Sequence, residues 1–172
     1  MAIYALGDVV PQIHPTAFVH PDAVIIGRVT IGADTTVWPG AVLRGDGAGI
    51  QIGARTSVQD HAVIHNTERL ATIIGNDVTI GHLAHLEGCT IEDGALVGTG
   101  SIVLHEAVVG TGALVGANAV VTNRSHVPPG AMALGVPAKI REGASDPAQN
   151  LSDAAFYVER GRRYRRDMRR ID

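Results

Sequence analysis

Aromatic residues are scarce: two Phe, three Tyr and one Trp in 172 positions. A core built from large rings is thereby excluded, and Val, Ile and Ala are left to fill it. There is one cysteine, Cys89, so no internal disulfide can form. A reducing, cytoplasmic setting is therefore expected. No apolar run approaches the ~20 residues of a membrane span. The first residues, MAIYALGDVVPQIHP, lack the basic start and apolar stretch of a signal peptide. Charge of one sign is lacking too: 14 Lys and Arg against 17 Asp and Glu give −3. That balance offers no argument for a nucleic-acid or membrane surface, and a soluble protein binding neither is the expectation. What is plentiful is glycine, 21 residues, alongside Val, Ile and Ala. Small and β-branched residues together suit a narrow, regular β core.

The aliphatics recur at a step of six. They fall at Ile13, Val19, Ile25, Ile31, Val37 and Leu43, then at Ile52, Val58 and Ile64. They resume at Ile74, Ile80 and Leu86, and again at Ile91, Val97, Val103, Val109, Val115 and Val121. A helix would repeat at 3.6 and a plain strand at two. Six residues per step fits a short strand plus a corner, with three steps closing one triangular coil of a parallel β-helix. Eighteen positions make six coils, an all-β fold. The step lengthens between Leu43 and Ile52 and between Ile64 and Ile74, which predicts two loops on one edge. Such interruptions of a rigid repeat are where function tends to sit.

The segment VPPGAMALGVPAKI (127–140) reads as a closing cap, because prolines cannot donate to a sheet ladder. The chain then divides into 1–140, a β-helix domain with its caps, and 141–172, a linker and a C-terminal α-helix packed on it. Ser152 or Asp153 is the expected N-cap. Ala154, Phe156, Tyr157, Tyr164, Met168 and Ile171 form the expected docking stripe, with Gly161 a local weakness. Seven arginines against three acids from Glu159 onward read as a solvated helix face.

The coil register brings polar residues together. Arg44, His65 and Glu87 each follow an inward residue of the third face, so they point outward and form one vertical column. Pro39, Asp60, His82 and Thr99 form a second column near a different corner. His82 can therefore share a metal with His65 and Glu87 only if a neighbouring subunit brings the two columns together.

The repeat resembles that of hexapeptide-repeat proteins, and this resemblance implies a left-handed winding. The segments VWPGAVLRGD (37–46), SVQDHAVIHNTE (57–68) and VTIGHLAHLEGC (78–89) resemble, more specifically, the signature segments of gamma-class carbonic anhydrases and their relatives. The likeness implies a homotrimer with zinc or ferrous iron between subunits. His65 and His82 match two of its histidine ligands. The third family histidine is replaced here by Glu87, with His85 two residues earlier. Glu87 as ligand, His85 as ligand, and an ion-pair network without metal all remain open. A His₂Glu set is an accepted arrangement for zinc and suits iron as well.

The same resemblance implies roles for other residues. Arg44 and Asp46 would brace the subunit interface. Gln59 and Asp60 would orient bound water or an imidazole, and Glu68 would relay protons. Tyr157 would lie near the site. Gly47 stands where the family's archaeal prototype has a further acid. The activity implied is reversible hydration of CO₂ to bicarbonate by metal-bound hydroxide. It should be weakened here, because a carboxylate neutralises one unit of the metal's charge and imidazole none. Two alternatives stand beside it: an acyl-CoA thioesterase or acyltransferase, and a non-catalytic trimeric scaffold.

Overall fold

The computed structural model describes residues 2–172. Each six-residue step forms a strand and a corner. One face stacks seven parallel strands: Phe18–Val19, Thr36–Val37, Ser57–Val58, Thr79–Ile80, Leu96–Val97, Leu114–Val115 and Met132–Leu134. Seven strands mean seven turns of parallel β-helix, one more than the six expected. The extra turn lies inside the presumed cap. Val127 and Ala133 are fully buried and pair in register with Val109 and Val115. Pro128 and Pro129 fall at the corner after Val127, outside any strand, and so interrupt no ladder. Ala133 continues the inward series without a large aliphatic side chain, which hid it from the repeat.

The inward series is the core. Ile25, Leu43, Ile64, Leu86 and Val103 are all fully buried, one above another. Burying each such side chain contributes roughly 1.5–3 kcal/mol. Alanines at 41, 62, 84, 95 and 107 are also fully buried and fill the tight space near the corners.

One predicted loop is not a loop. The surplus between Leu43 and Ile52 continues as a single strand, Val42–Ile52. It pairs along Val24–Ile31 with a register shift between Gly27 and Val29. Ile50 and Val29 turn inward within this pair, so burial holds the extra residues in the sheet. The second surplus does leave the sheet, between strands Val63–His65 and Thr72–Ile74.

The last turn is closed by Lys139–Arg141, which runs antiparallel to Met132–Leu134. The helix spans Pro147–Asp167, beginning earlier than expected. Asp146 is the N-cap, accepting from the Gln149 amide at 3.1 Å, and Pro147 occupies the first helical position. Ser152 and Asp153 lie inside the helix. Its buried residues are Asn150, Ala154, Val158 and Gly161. Of the expected stripe, Phe156 and Met168 are exposed, and Ile171 lies beyond the helix end. Tyr157 and Tyr164 stand edge-on to Trp38, with ring centroids 5.9 and 5.1 Å away. Gly161 is the point of closest approach, since a Cβ there would lie 2.4 Å from Thr36 Cγ2. No helix among the described residues is long and apolar enough to cross a membrane.

Candidate metal centre

Strand pairing sets Arg44, His65 and Glu87 at matching positions of three successive strands. Because the strands stack in register, the three side chains project from one face as a column. Arg44 donates to Asp46 Oδ2. His65 lies between two carboxylates: its Nε2 is 2.9 Å from Asp46 Oδ1 and its Nδ1 is 3.0 Å from Glu87 Oε1. Glu87 draws two more imidazoles. His85 Nε2 is 3.4 Å from Oε2, and His105 Nε2 is 3.7 Å from Oε1.

This concentration of donors sets the charge of the acids. Burial alone would push the Glu87 carboxyl up. The hydrogen bond and charge of His65, the charge of His105 and the hydrogen bond of His85 outweigh it and hold Glu87 below the ordinary value. Asp46 follows the same logic: burial raises it, and hydrogen bonds from His65 and Arg44 bring it below normal. Both acids are thus anionic at neutral pH. Beside them opens a cavity of about 360 Å³ lined by Arg44, Asp46, His65, Asn66, Glu68 and Glu87. Glu68 is exposed there and makes no hydrogen bond or ion pair among the described residues.

His82 is held elsewhere. Its Nδ1 is 2.9 Å from Asp60 Oδ2, and no hydrogen bond or ion pair links it to His65 or Glu87. Gln59, next to Asp60, is only 5% exposed. Tyr157 lies close enough for the Asp60 charge to act on its phenol. Among the described residues, no three His, Cys, Asp or Glu side chains of one chain form a group able to hold a metal. One chain therefore presents two separate histidine–carboxylate clusters, one around His65 and one around His82.

The donor chemistry nonetheless fits zinc or ferrous iron. Such ions take imidazole nitrogen and carboxylate oxygen, and ligand histidines usually give their other ring N–H to a carboxylate. His65 has this arrangement with Asp46, by a hydrogen bond of 2.9 Å, and the Asp60 carboxylate stands 2.9 Å from His82 Nδ1 as an ion-pair contact. Zinc holds these donors at about 2.0–2.2 Å, which places them roughly 3.3–3.5 Å apart around a tetrahedron. The His65–Glu87 separation of 3.0 Å is a few tenths short of that, so a small opening admits the ion. Two buried polar atoms bordering this region make no hydrogen bond: Asn66 Oδ1 and His105 Nε2, the latter with only the longer ion-pair contact to Glu87. Buried polar atoms are normally satisfied, so these mark a place suited to a further ligand.

Sequence reasoning singled out neither Asn66 nor His105. The signal for His105 was the short step from Leu86 to Ile91, where Gly88 turns with φ +60°. That turn brings the next coil's corner close: a Cβ at Gly88 would lie 3.3 Å from the His105 ring.

A family model described as bacterial transferase hexapeptide (six repeats) matches residues 11–45 and 88–123. The chain is 39% identical over 165 residues to a carbonic anhydrase of Geobacillus kaustophilus, covering 95% of this chain and 91% of that one. It is 39% identical over 145 residues to mitochondrial gamma carbonic anhydrase 2 of Arabidopsis thaliana, covering 81% of this chain. It spans about half the length of that relative, 52%. A solved structure of a hexapeptide transferase family protein from Anaplasma phagocytophilum superposes with a TM-score of 0.91 at 36% identity, covering 95% of this chain and 98% of that one. Repeat and architecture define a hexapeptide-repeat β-helix protein. Within that class, the chain belongs to the gamma-class carbonic anhydrase-like family.

Proposed function

We propose that the chain is a metal-dependent hydratase of the gamma-carbonic anhydrase type, which interconverts CO₂ and bicarbonate at a site shared between two subunits of a homotrimer. The observation that carries this is the paired arrangement of carboxylates behind the two histidines. Asp60 holds one nitrogen of His82 and Asp46 holds one of His65, each at 2.9 Å. A ring nitrogen fixed by a carboxylate leaves the other oriented for a cation. His65 and Glu87 supply one half of the site and His82 of a neighbouring copy supplies the other. Three-fold closure uses every such interface once.

A zinc or ferrous ion held there would supply Lewis acidity, bringing the pKa of water toward neutrality, as carbonic anhydrase zinc does. The chain's own residues do the rest. Arg44 fixes Asp46, which fixes His65. Gln59 and Asp60 orient the groups around His82. Glu68, exposed and unpaired in the 360 Å³ cavity, takes the released proton to solvent. Glu87 contributes a negative charge where the family has a neutral imidazole. Water at the site is therefore less acidic, and hydration at neutral pH is slower than in a three-histidine relative. His85, 3.4 Å from Glu87, supports this carboxylate and is the alternative third ligand.

The test is metal content in untagged protein purified anaerobically without chelators, with Glu87→Ala alongside, followed by stopped-flow CO₂ hydration. About one zinc or iron per subunit, lost in the variant, together with measurable hydration, is the expected result. Metal retained in Glu87→Ala moves the ligand role to His85. Metal-free protein that forms a stable trimer overturns the hydratase reading. The match to a transferase hexapeptide model and to a hexapeptide transferase structure favours one second reading, acyl transfer or acyl-CoA hydrolysis. Turnover in an acyl-CoA panel without CO₂ hydration would establish it.

A further inference from the structure

A second cavity lies on a different face of the β-helix from His65. The outward residues following the inward ones on this sheet run Trp38, Gln59, Gly81, Gly98 and Gly116 up the stack. Trp38 and Gln59 carry side chains before this face; Gly81 and Gly98 carry none, and a Cβ on either would meet the backbone of the next coil 2.7 Å away. The helix crosses in front and closes the far side with Asp153, Phe156 and Tyr157. The result is a groove of about 380 Å³. That lies within the roughly 300–1,000 Å³ of small-molecule sites and far exceeds what a three-atom gas occupies.

The groove carries unspent hydrogen-bonding capacity. Thr79 is 4% exposed, and its hydroxyl has no partner. Gln59 is 5% exposed, and its side-chain amide makes no hydrogen bond among the described residues. A buried hydroxyl without a partner is uncommon, and Thr79 and Gln59 both line this groove. Burial pushes the Tyr157 phenol up, so at neutral pH it remains a donor. Charge narrows the choice of ligand. No lysine or arginine lines the groove, whereas Asp153 does. Phosphates and carboxylates find no cation among its lining residues; the Arg160 guanidinium stands outside them, over the Phe156 ring at 4.6 Å from its centroid. Leu96 and the exposed Phe156 ring offer an apolar wall.

We propose that this groove binds a neutral organic molecule bearing an amide, its amide against Gln59 and Thr79 and its apolar part along Leu96 and Phe156. An amide presents one acceptor and one or two donors, the complement of the Gln59 amide and of a hydroxyl that can give and accept. Asp60 and His82 directly follow Gln59 and Gly81 in the chain, so the ligand would lie next to one half of the proposed metal centre. The inference goes beyond the hydratase reading, assigning a ligand to the groove beside that corner, and rests on it only for the role of the corner. Binding in the groove needs no metal.

The experiment uses the full chain after metal removal. Trp38 is the single tryptophan, with Tyr157 of the groove wall 5.9 Å from its ring. Its fluorescence, with calorimetry in parallel, follows titration by straight-chain primary amides from acetamide to octanamide. The matching carboxylates are controls. Affinity is expected to rise about threefold to fourfold per buried methylene until the groove is full, with each carboxylate at least tenfold weaker. Thr79→Val should raise the melting temperature and weaken amide binding at least fivefold. A hydroxyl that is only a packing defect would raise the melting temperature and leave binding unchanged. Phe156→Ala, on an exposed site, should flatten the chain-length dependence. Absence of saturable binding by both readouts, equal binding of carboxylates, or unchanged affinity in Thr79→Val overturns the proposal. None of these results bears on metal content or CO₂ hydration, which are measured separately.

Discussion

Gly161→Ala tests how the helix is held against the β-helix. In an exposed helix interior, alanine is favoured over glycine by about 1 kcal/mol. Here the added methyl would lie 2.4 Å from Thr36 Cγ2 and 3.4 Å from Phe18 Cβ. Carbon atoms rest about 3.5–4.0 Å apart, so the helix or Thr36 must move by about 1 Å. Thr36 is 2% exposed, and its hydroxyl accepts from Trp38 Nε1 at 3.0 Å, so it cannot swing aside freely. Overpacking of this kind destabilises by about 1–3 kcal/mol. Set against the propensity gain, the net loss should be roughly 1 kcal/mol and no more than about 2. Thr36→Ser removes the offending methyl and keeps the hydroxyl. In that background Gly161→Ala should become stabilising by about 1 kcal/mol, which makes the coupling about 1–3 kcal/mol. Urea unfolding of the four proteins at one fixed concentration measures it, because assembly makes stability depend on concentration. If Gly161→Ala stabilises the native background, or acts equally in both, the close approach is not what glycine serves here.

Asp60→Asn should weaken metal binding by about 10–100-fold while leaving the melting temperature of metal-free protein nearly unchanged, as competition with a chelating dye will show. Asp46 and Glu87 are held below their ordinary values of 3.8 and 4.5, so their stabilising effect is complete above those values and is lost as pH falls through the lowered ones. Stability of metal-free protein should therefore decline below about pH 4.5, less steeply in Asp46→Asn/Glu87→Gln; an equal slope in the variant would dissociate these two acids from the effect. Burial pushes the Cys89 thiol up to about 12, so iodoacetamide at pH 8 should label it only in urea. Rapid labelling of the native protein would show that the corner at Gly88 opens.

The prism was legible because its repeat is one-dimensional. A side chain at an inward position has nowhere else to go, so Ile25, Leu43, Ile64 and Leu86 announce themselves by spacing and end fully buried. The column of Arg44, His65 and Glu87 followed from the same arithmetic. Where the spacing changed, so did legibility. The segment after Leu43 stayed in the sheet because Ile50 found a buried place, which length alone could not foretell. Ala133 marks the seventh turn with a side chain too small to stand out. The helix was misread for a different reason. Its contact face was sought among apolar residues; Ala154 was one of them and is buried, whereas Asn150 and Gly161, which also make the close approach, were not. Asn150 reaches the Gly112 carbonyl at 3.2 Å, a polar contact that no hydrophobic pattern reveals. His105 and Asn66 were missed because their part depends on a corner's shape and not on its place in the repeat.

The antiparallel strand Lys139–Arg141 has a consequence beyond closing the last turn. A stack of parallel strands ends in a row of free amides and carbonyls, and another copy laid on it would simply lengthen the pile. Reversing direction over Met132–Leu134 satisfies that row with a strand whose own outer edge no longer matches the parallel spacing of the stack. Lys139 and Arg141, both exposed, add like charges on that outer edge. The fold thus carries its own stop: a geometry that could grow into a fibre is kept to a discrete particle.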